Sequence, residues 1–131
     1  MRTKILCLIW LNMKNKNKFH SKKIVVDGIS FDSKKESKRW LDLLQLEKEG
    51  KIQNLQKQVK FELIPSQYIT IDGKKKCVER SCFYIADFVY FQDGKQVVED
   101  VKGYKKGSAY NIFTIKRKLM LEKYGIRIKE S

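Results

Sequence analysis

The sequence predicts an α/β domain with a mixed central β-sheet flanked by two main helices. Asp-Gly pairs between β-prone segments predict hairpins, and two segments have apolar residues at helical spacing. Their order is hairpin, helix, antiparallel strands, helix and strand. A chain of 131 residues has the length of one domain with one hydrophobic core. An apolar content of 42% is ordinary for a globular protein and excludes a wholly disordered chain.

The N-terminal region differs from the rest of the chain. We predict an extension and basic arm over residues 1–23 and a single domain over residues 24–131. The apolar run within residues 1–12 is far shorter than the about 20 residues that span a bilayer, and no small-residue cleavage site follows it. Residues 1–12 are therefore expected to lie upstream of the true start, with a sticky amphipathic arm as the alternative. Lys22 and Lys23 are expected to contact a phosphate backbone, or to belong to a solvated tail.

The first predicted elements are a hairpin over residues 24–31 and a helix that follows it. Ser33 is a good N-cap residue, and Glu36 stands three residues later, as in a capping box. Apolar residues recur at helical spacing, and Gly50 is predicted to end the helix. These apolar residues are Trp40, Leu41, Leu43 and Leu44.

The middle of the chain reads as antiparallel strands. Residues 52–64 alternate in part between apolar and polar side chains, which predicts a strand. Two further hairpins are predicted, with turns at Asp72-Gly73 and Asp93-Gly94. The strand over residues 83–91 is apolar on both faces, so we expect it to be central and buried.

The last predicted elements are a second helix and a short strand over residues 126–129. Ser108 is expected to cap the helix and Gly125 to end it. Its apolar stripe is predicted to consist of Ile112, Ile115 and Leu119.

The third hairpin contains the residues that point to chemistry. With a two-residue turn at Asp93-Gly94, Asp87 lies opposite Asp100, and both share a face with Lys102. Two opposed carboxylates on a buried strand repel each other, so a positive charge must offset them. A divalent cation bridging both carboxylates would supply that charge. An ordinary cluster of ion pairs with lysine or arginine is the alternative.

The remaining composition limits the kind of metal. Three cysteines without a CxxC pair exclude a disulfide framework, and one histidine excludes a His-rich zinc site. A metal held mainly by carboxylates would be a hard cation such as Mg²⁺ or Mn²⁺. Free cysteines indicate a reducing cytoplasmic compartment.

Asp87 is followed on the next strand by Asp100, Val101 and Lys102, and Glu36 lies on a preceding helix. This combination resembles the acidic residues and the acid-x-Lys triplet of the PD-(D/E)xK nuclease superfamily. The triplet alone is weak, because it occurs by chance in any basic protein. Its specificity comes from the preceding aspartate on a hairpin partner and the glutamate on a helix.

A closer resemblance, from about residue 19 to residue 129, is to a family of small phage proteins of formally unknown function placed in that superfamily. One departure is Ala86, since the superfamily pattern has proline before the first acid, although many members lack it. The segments that support this resemblance are residues 26–36, 84–90 and 97–103.

The resemblance implies a restriction-endonuclease-like fold and a Mg²⁺-dependent (or Mn²⁺-dependent) phage endodeoxyribonuclease, acting in the cytoplasm of a bacterial host. Asp87 and Asp100 would ligate the metal, with the backbone carbonyl of Val101 as a further ligand. Lys102 would hold the attacking water and stabilise negative charge on the scissile phosphate. Glu36 would complete the site, or it would serve only as part of the helix cap. Analogy with junction resolvases implies branched recombination or replication intermediates as substrates and a homodimer.

The charge of the chain supports a nucleic-acid partner independently of the resemblance. A net charge of +14 favours a polyanion. Tyr104, Lys105 and Lys106 follow the acid-x-Lys triplet in a loop where they would meet a phosphate backbone. Lys116 would contact DNA from the second helix or belong to a solvated face. No membrane partner is expected, and the alternative function is a non-catalytic, basic nucleic-acid-binding protein.

Overall fold

The computed structural model describes residues 23–26 and 28–131. The predictions for residues 1–22, including Lys22, lie outside the described residues, and Lys23 is exposed. The chain divides into two compact units, the first ending at Lys51 and the second spanning Ile52–Ser131. The single domain over residues 24–131 stays a prediction, and each unit is described by itself.

The first unit contains a short hairpin and one helix. Ser33 caps the helix, since its Oγ accepts a hydrogen bond of 3.0 Å from the Glu36 N–H, as predicted. The ring centroids of Phe31 and Trp40 lie 6.3 Å apart, and Leu43 is fully buried. The elements are β1 (Ile24–Val26), β2 (Ile29–Phe31) and α1 (Lys34–Lys48).

The second unit is built on a four-stranded sheet with the order β3-β6-β7-β8. The first three strands are antiparallel, whereas β7 and β8 are parallel, so the sheet is mixed. The predicted mixed α/β class is therefore confirmed, and β6 has the central position expected for it. The elements are β3 (Gln53–Ile64), β4 (Gln67–Ile71), β5 (Lys74–Glu79), β6 (Cys82–Gln92), β7 (Lys95–Asp100), α2 (Ser108–Tyr124) and β8 (Lys129–Glu130). Strands β4 and β5 form a separate exposed hairpin.

Helix α2 is rotated relative to its predicted apolar stripe. Ile112 and Ile115 are 56% and 60% exposed, whereas Phe113 and Met120 are buried in the core. Leu119 is partly buried against that core. Both stripes have helical spacing, so periodicity alone does not distinguish them. The aromatic ring of Phe113 decides the rotation by packing on the sheet.

The termini of the second helix and the last strand also differ from the predictions. Gly107 is the N-cap residue, with a φ of 92°, and Ser108 is the first helical residue, so Ser108 does not cap the helix. Gly125 ends α2 in the left-handed region, as predicted. Strand β8 begins only at Lys129, later than the predicted start at residue 126.

Strand β6 does not alternate regularly. Tyr84, Ala86 and Val89 belong to the same core cluster, so the side-chain alternation is interrupted around Asp87. Across from Asp87 on β3, Gln58 has a φ of 57°, in the left-handed region. A regular strand would place Val89 on the face opposite Tyr84 and Ala86, so this part of β6 departs from strict alternation.

Substitutions on α2 test its rotation. Met120→Ala should lower the free energy of unfolding by about 2–5 kcal/mol, because it leaves a cavity in the core. Ile115→Ala on the exposed face should change it by less than about 1 kcal/mol. Urea denaturation of both variants is the measurement, and equal losses would contradict the observed rotation.

Candidate functional site

The register of β6 and β7 agrees with the predicted one. The type I′ turn has positive φ values of 53° at Asp93 and 75° at Gly94, and Phe88 lies opposite Glu99 at the far end of the ladder. Asp87 and Asp100 are the next residues beyond this last pair, and their direct opposition stays a prediction. The Asp87 carboxylate is bonded to the backbone just after β7, because its Oδ2 accepts a hydrogen bond of 2.9 Å from the Val101 N–H.

Asp100 is 4% exposed and forms an ion pair with Lys102 Nζ. The same ammonium lies 3.8 Å from the ring centroid of Phe113, which adds a cation–π contact. The backbone of Ser131 spans the two residues, since its N–H donates to Asp100 O at 3.0 Å and its carbonyl accepts from Lys102 N at 2.9 Å. Ser131, directly after β8, thus fixes the backbone that presents both side chains.

Tyr84 is a site residue that sequence reasoning missed. It is 3% exposed, and its ring packs against those of Phe61 and Phe113 at centroid distances of 6.4 and 6.2 Å. Burial, followed by the negative charges of Asp100 and Asp87, raises the pKa of Tyr84 far above its usual value. The residue is therefore a neutral phenol whose O–H is a hydrogen-bond donor beside two carboxylates.

The Tyr84 hydroxyl is buried without a hydrogen-bond partner among the described residues. A buried unsatisfied hydroxyl costs about 1–3 kcal/mol, so its presence next to Asp87 and Asp100 requires an explanation. A bound water or the oxygen of a ligand would supply the missing acceptor. No signal in the sequence marks Tyr84, because its depth depends on rings contributed by β3 and α2.

The donor set at this point fits a hard cation only in part. Asp87 and Asp100 supply carboxylate oxygens, the ligands that Mg²⁺ prefers. Within the part of the chain that the structure describes, no group of three or more His, Cys, Asp or Glu side chains is arranged to hold a metal ion. Waters or substrate oxygens would have to complete the coordination, as is usual for Mg²⁺.

Glu99 is fully buried away from this site. The observed register puts it opposite Phe88, and it accepts a hydrogen bond of 3.3 Å from the Tyr90 hydroxyl. Lys129 Nζ lies 3.6 Å from the same carboxylate oxygen. Glu99 is thus held by β6 and β8 on the face opposite that of Asp100.

The other predicted site residues are distributed as follows. Glu36 belongs to the first unit, where it is buried in the first turn of α1. Its role in completing the Asp87–Asp100 site stays a prediction, as does the role of the Val101 carbonyl. The loop residues Tyr104, Lys105 and Lys106 are exposed, and Lys116 is half-buried on α2. Their contacts with nucleic acid stay predictions as well.

Glu130 is a second residue that the sequence did not indicate. It pairs with Asp100 in the parallel ladder and accepts hydrogen bonds from the Tyr110 hydroxyl at 2.9 Å and Arg117 Nη1 at 3.1 Å. Partial burial raises the pKa of Glu130, but these bonds and the nearby Lys105 and Arg117 outweigh it and lower the pKa. A negative charge is therefore fixed at the end of β8.

Paired tyrosine variants test the hydroxyl assignment. Tyr84→Phe should leave the free energy of unfolding unchanged or raise it by up to about 1–3 kcal/mol, because it removes an unsatisfied donor. Tyr90→Phe is the matched control. It should lower that free energy by about 1 kcal/mol or more, because it removes a hydrogen bond to Glu99. Denaturant titration without metal gives both values, and an equal loss in the two variants would contradict the assignment.

Comparison with known proteins places the chain in one family. No helix in the described residues is long and apolar enough to cross a membrane. No curated protein and no solved structure gives a significant match. A family model covers residues 16–129, which is most of the chain. The chain therefore belongs to the family described as "Protein of unknown function (DUF1064)".

Proposed function

We propose that the protein is a Mg²⁺-dependent endodeoxyribonuclease of the PD-(D/E)xK type. The observation that carries this proposal is the grouping of Asp87 on β6, Asp100 at the end of β7 and Lys102 just after it. They lie beside the Tyr84 hydroxyl, which is buried without a hydrogen-bond partner among the described residues. Along the chain, Asp87 comes first and Asp100, Val101 and Lys102 follow it. This order matches the superfamily pattern of a first acid followed by an acid-x-Lys triplet.

The carboxylates of Asp87 and Asp100 would hold the metal ion, with the Val101 carbonyl as a further predicted ligand. Such an ion polarises a phosphate oxygen and lowers the pKa of a water bound to it. A divalent cation held by these residues would also offset the negative charge of the two carboxylates. The low exposure of Asp100 strengthens any electrostatic interaction made there.

Lys102 would orient the attacking water and offset the charge that develops on the phosphate. Its side chain is 23% exposed, so the ammonium lies at the border between the core and solvent. Asp100 and the Phe113 ring hold it there. The Tyr84 O–H would donate to a water or phosphate oxygen that approaches the two carboxylates.

DNA is the proposed substrate because the chain carries a net charge of +14 and exposes Tyr104, Lys105 and Lys106 in the loop after β7. Branched recombination or replication intermediates and a homodimeric state follow only from the resemblance to junction resolvases, and we propose them on that basis. The same resemblance supports action in the cytoplasm of a bacterial host.

A non-catalytic nucleic-acid-binding protein is the second candidate. The observation that favours it is the Asp100–Lys102 ion pair, which neutralises one carboxylate without any metal. In that case the basic surface would bind nucleic acid, and the aspartates would have only a structural role.

Cleavage assays distinguish the two candidates. Labelled linear, flapped and four-way DNA should be cut in Mg²⁺ or Mn²⁺ but not in EDTA. Asp100→Asn and Lys102→Ala should each lower the cleavage rate by about 100-fold or more, because each removes charge stabilisation at the reacting phosphate. Glu122→Gln and Lys95→Ala are matched controls on exposed positions and should retain activity. DNA binding with no cleavage in wild type, under every metal condition, would reject the nuclease.

Metal binding is tested separately from activity. Mn²⁺ or Mg²⁺ should raise the Tm of the wild type, since an ion that binds only the folded state at 100 times its Kd adds about 2.7 kcal/mol. Asp87→Asn should abolish this shift, and Glu122→Gln should retain it. A shift that is the same in Asp87→Asn and wild type would show that the ion binds elsewhere.

A further inference from the structure

A basic pocket lies between α2, β8 and the loop after β7. Its volume is about 620 Å³, and four cationic side chains line it. These are Lys105, Arg117, Lys118 and Arg127. Among the described residues, Glu130 is the one carboxylate in the lining. This volume is typical of ligand pockets, which range over about 300–1,000 Å³.

The charge of the basic pocket favours an anion. Glu130 already accepts hydrogen bonds from Arg117 and Tyr110, and it lies 4.0 Å from Lys105. One carboxylate cannot neutralise four cations, so the pocket keeps an excess of positive charge. Arginine and lysine recognise phosphate through charge-assisted hydrogen bonds.

Arg117 is prepared for such a contact. Its Nη1 donates to Glu130 at 3.1 Å and lies 3.4 Å from the Tyr110 hydroxyl. These bonds hold the guanidinium in one place, which reduces the entropy lost when a ligand binds. Its other nitrogens carry further N–H donors suited to phosphate oxygens.

The basic pocket adjoins the proposed catalytic site. Glu130, in its lining, lies opposite Asp100 in the parallel pairing of β7 and β8. Lys105 follows Lys102 by three residues. A polynucleotide whose phosphate approaches Asp100 would therefore bring another phosphate of its backbone toward this pocket.

We propose that the basic pocket is a subsite for a backbone phosphate next to the one that is cleaved. This inference rests on the proposed nuclease function and adds the residues that position the strand. Lys118 and Arg127 would be the cations that contact this phosphate, and Arg117 would be the positioned donor. The subsite serves binding and register on the strand, and it takes no part in bond cleavage.

The test is DNA binding in EDTA, where no cleavage occurs. The double variant Lys118→Ala/Arg127→Ala should weaken binding of a labelled oligonucleotide by about tenfold at low salt. It should also reduce the slope of log Kd against log salt by about 2, since each lost phosphate contact removes about one unit. Arg117→Ala is unsuitable, because it would also remove the hydrogen bond that Arg117 donates to Glu130 within the folded protein.

The matched control is Lys74→Ala/Lys76→Ala, which removes the same charge from the exposed β4–β5 hairpin. An equal loss of affinity and slope in both double variants would overturn the subsite in favour of diffuse electrostatic attraction. Circular dichroism and Tm establish that each variant is folded.

Inorganic phosphate and a mononucleotide distinguish the source of the bound group. A polynucleotide subsite predicts that both compete with the oligonucleotide only weakly. Tight binding of either one, lost in Lys118→Ala/Arg127→Ala and not displaced by DNA, would overturn the proposal. Wild-type cleavage is a separate measurement. Its absence, with the pocket result intact, would reject the nuclease while leaving phosphate binding established.

Discussion

The register of the β6–β7 hairpin is the constraint on which the candidate site in the second unit depends. The Asp93-Gly94 turn fixes the register, because both of its residues take positive φ. Asp87 and Asp100 directly adjoin the last pair of that ladder, Phe88 and Glu99, and both of their charges raise the pKa of Tyr84. The surrounding groups compensate for the repulsion: the Val101 N–H binds Asp87, and Lys102 pairs with Asp100. The positive φ of Gln58 lies between the pairs Lys57–Phe88 and Val59–Ala86, at the level of Asp87 in the sheet.

The parallel strand β8 extends this arrangement toward the basic pocket. A chain segment that follows a whole helix returns to pair with β7, so that Glu130 lies beside Asp100 and Ser131 binds its backbone. Arg117 and Tyr110 on α2 donate hydrogen bonds to Glu130. Acidic and basic side chains from the hairpin, from β8 and from α2 are thereby brought together, although these segments are far apart in the sequence.

Features determined by neighbouring residues could be predicted from the sequence. The Asp-Gly turn and the register it imposes depend on a few adjacent residues, and the Ser33 cap depends on a spacing of three. The rotation of α2 could not be predicted, because Ile112 and Phe113 both belong to stripes of helical period. Tyr84 and Glu130 were missed for a related reason. Their partners come from distant elements, so their surroundings are created by tertiary packing alone.

The Tyr84 hydroxyl bears on whether Asp87 and Asp100 have a structural or a functional role. If Asp87 and Asp100 had only a structural role, phenylalanine at position 84 would give a more stable protein. The buried hydroxyl costs free energy, and it makes no hydrogen bond to the described residues. Stability is commonly sacrificed where a site must meet a ligand. Under the proposed function, the buried Tyr84 O–H would donate a hydrogen bond to a water or phosphate oxygen bound beside Asp87 and Asp100. That bond would offset the free energy that the unsatisfied hydroxyl costs. The Lys102 ion pair is compatible with the proposed function, since it balances the charge of Asp100 without a bound metal.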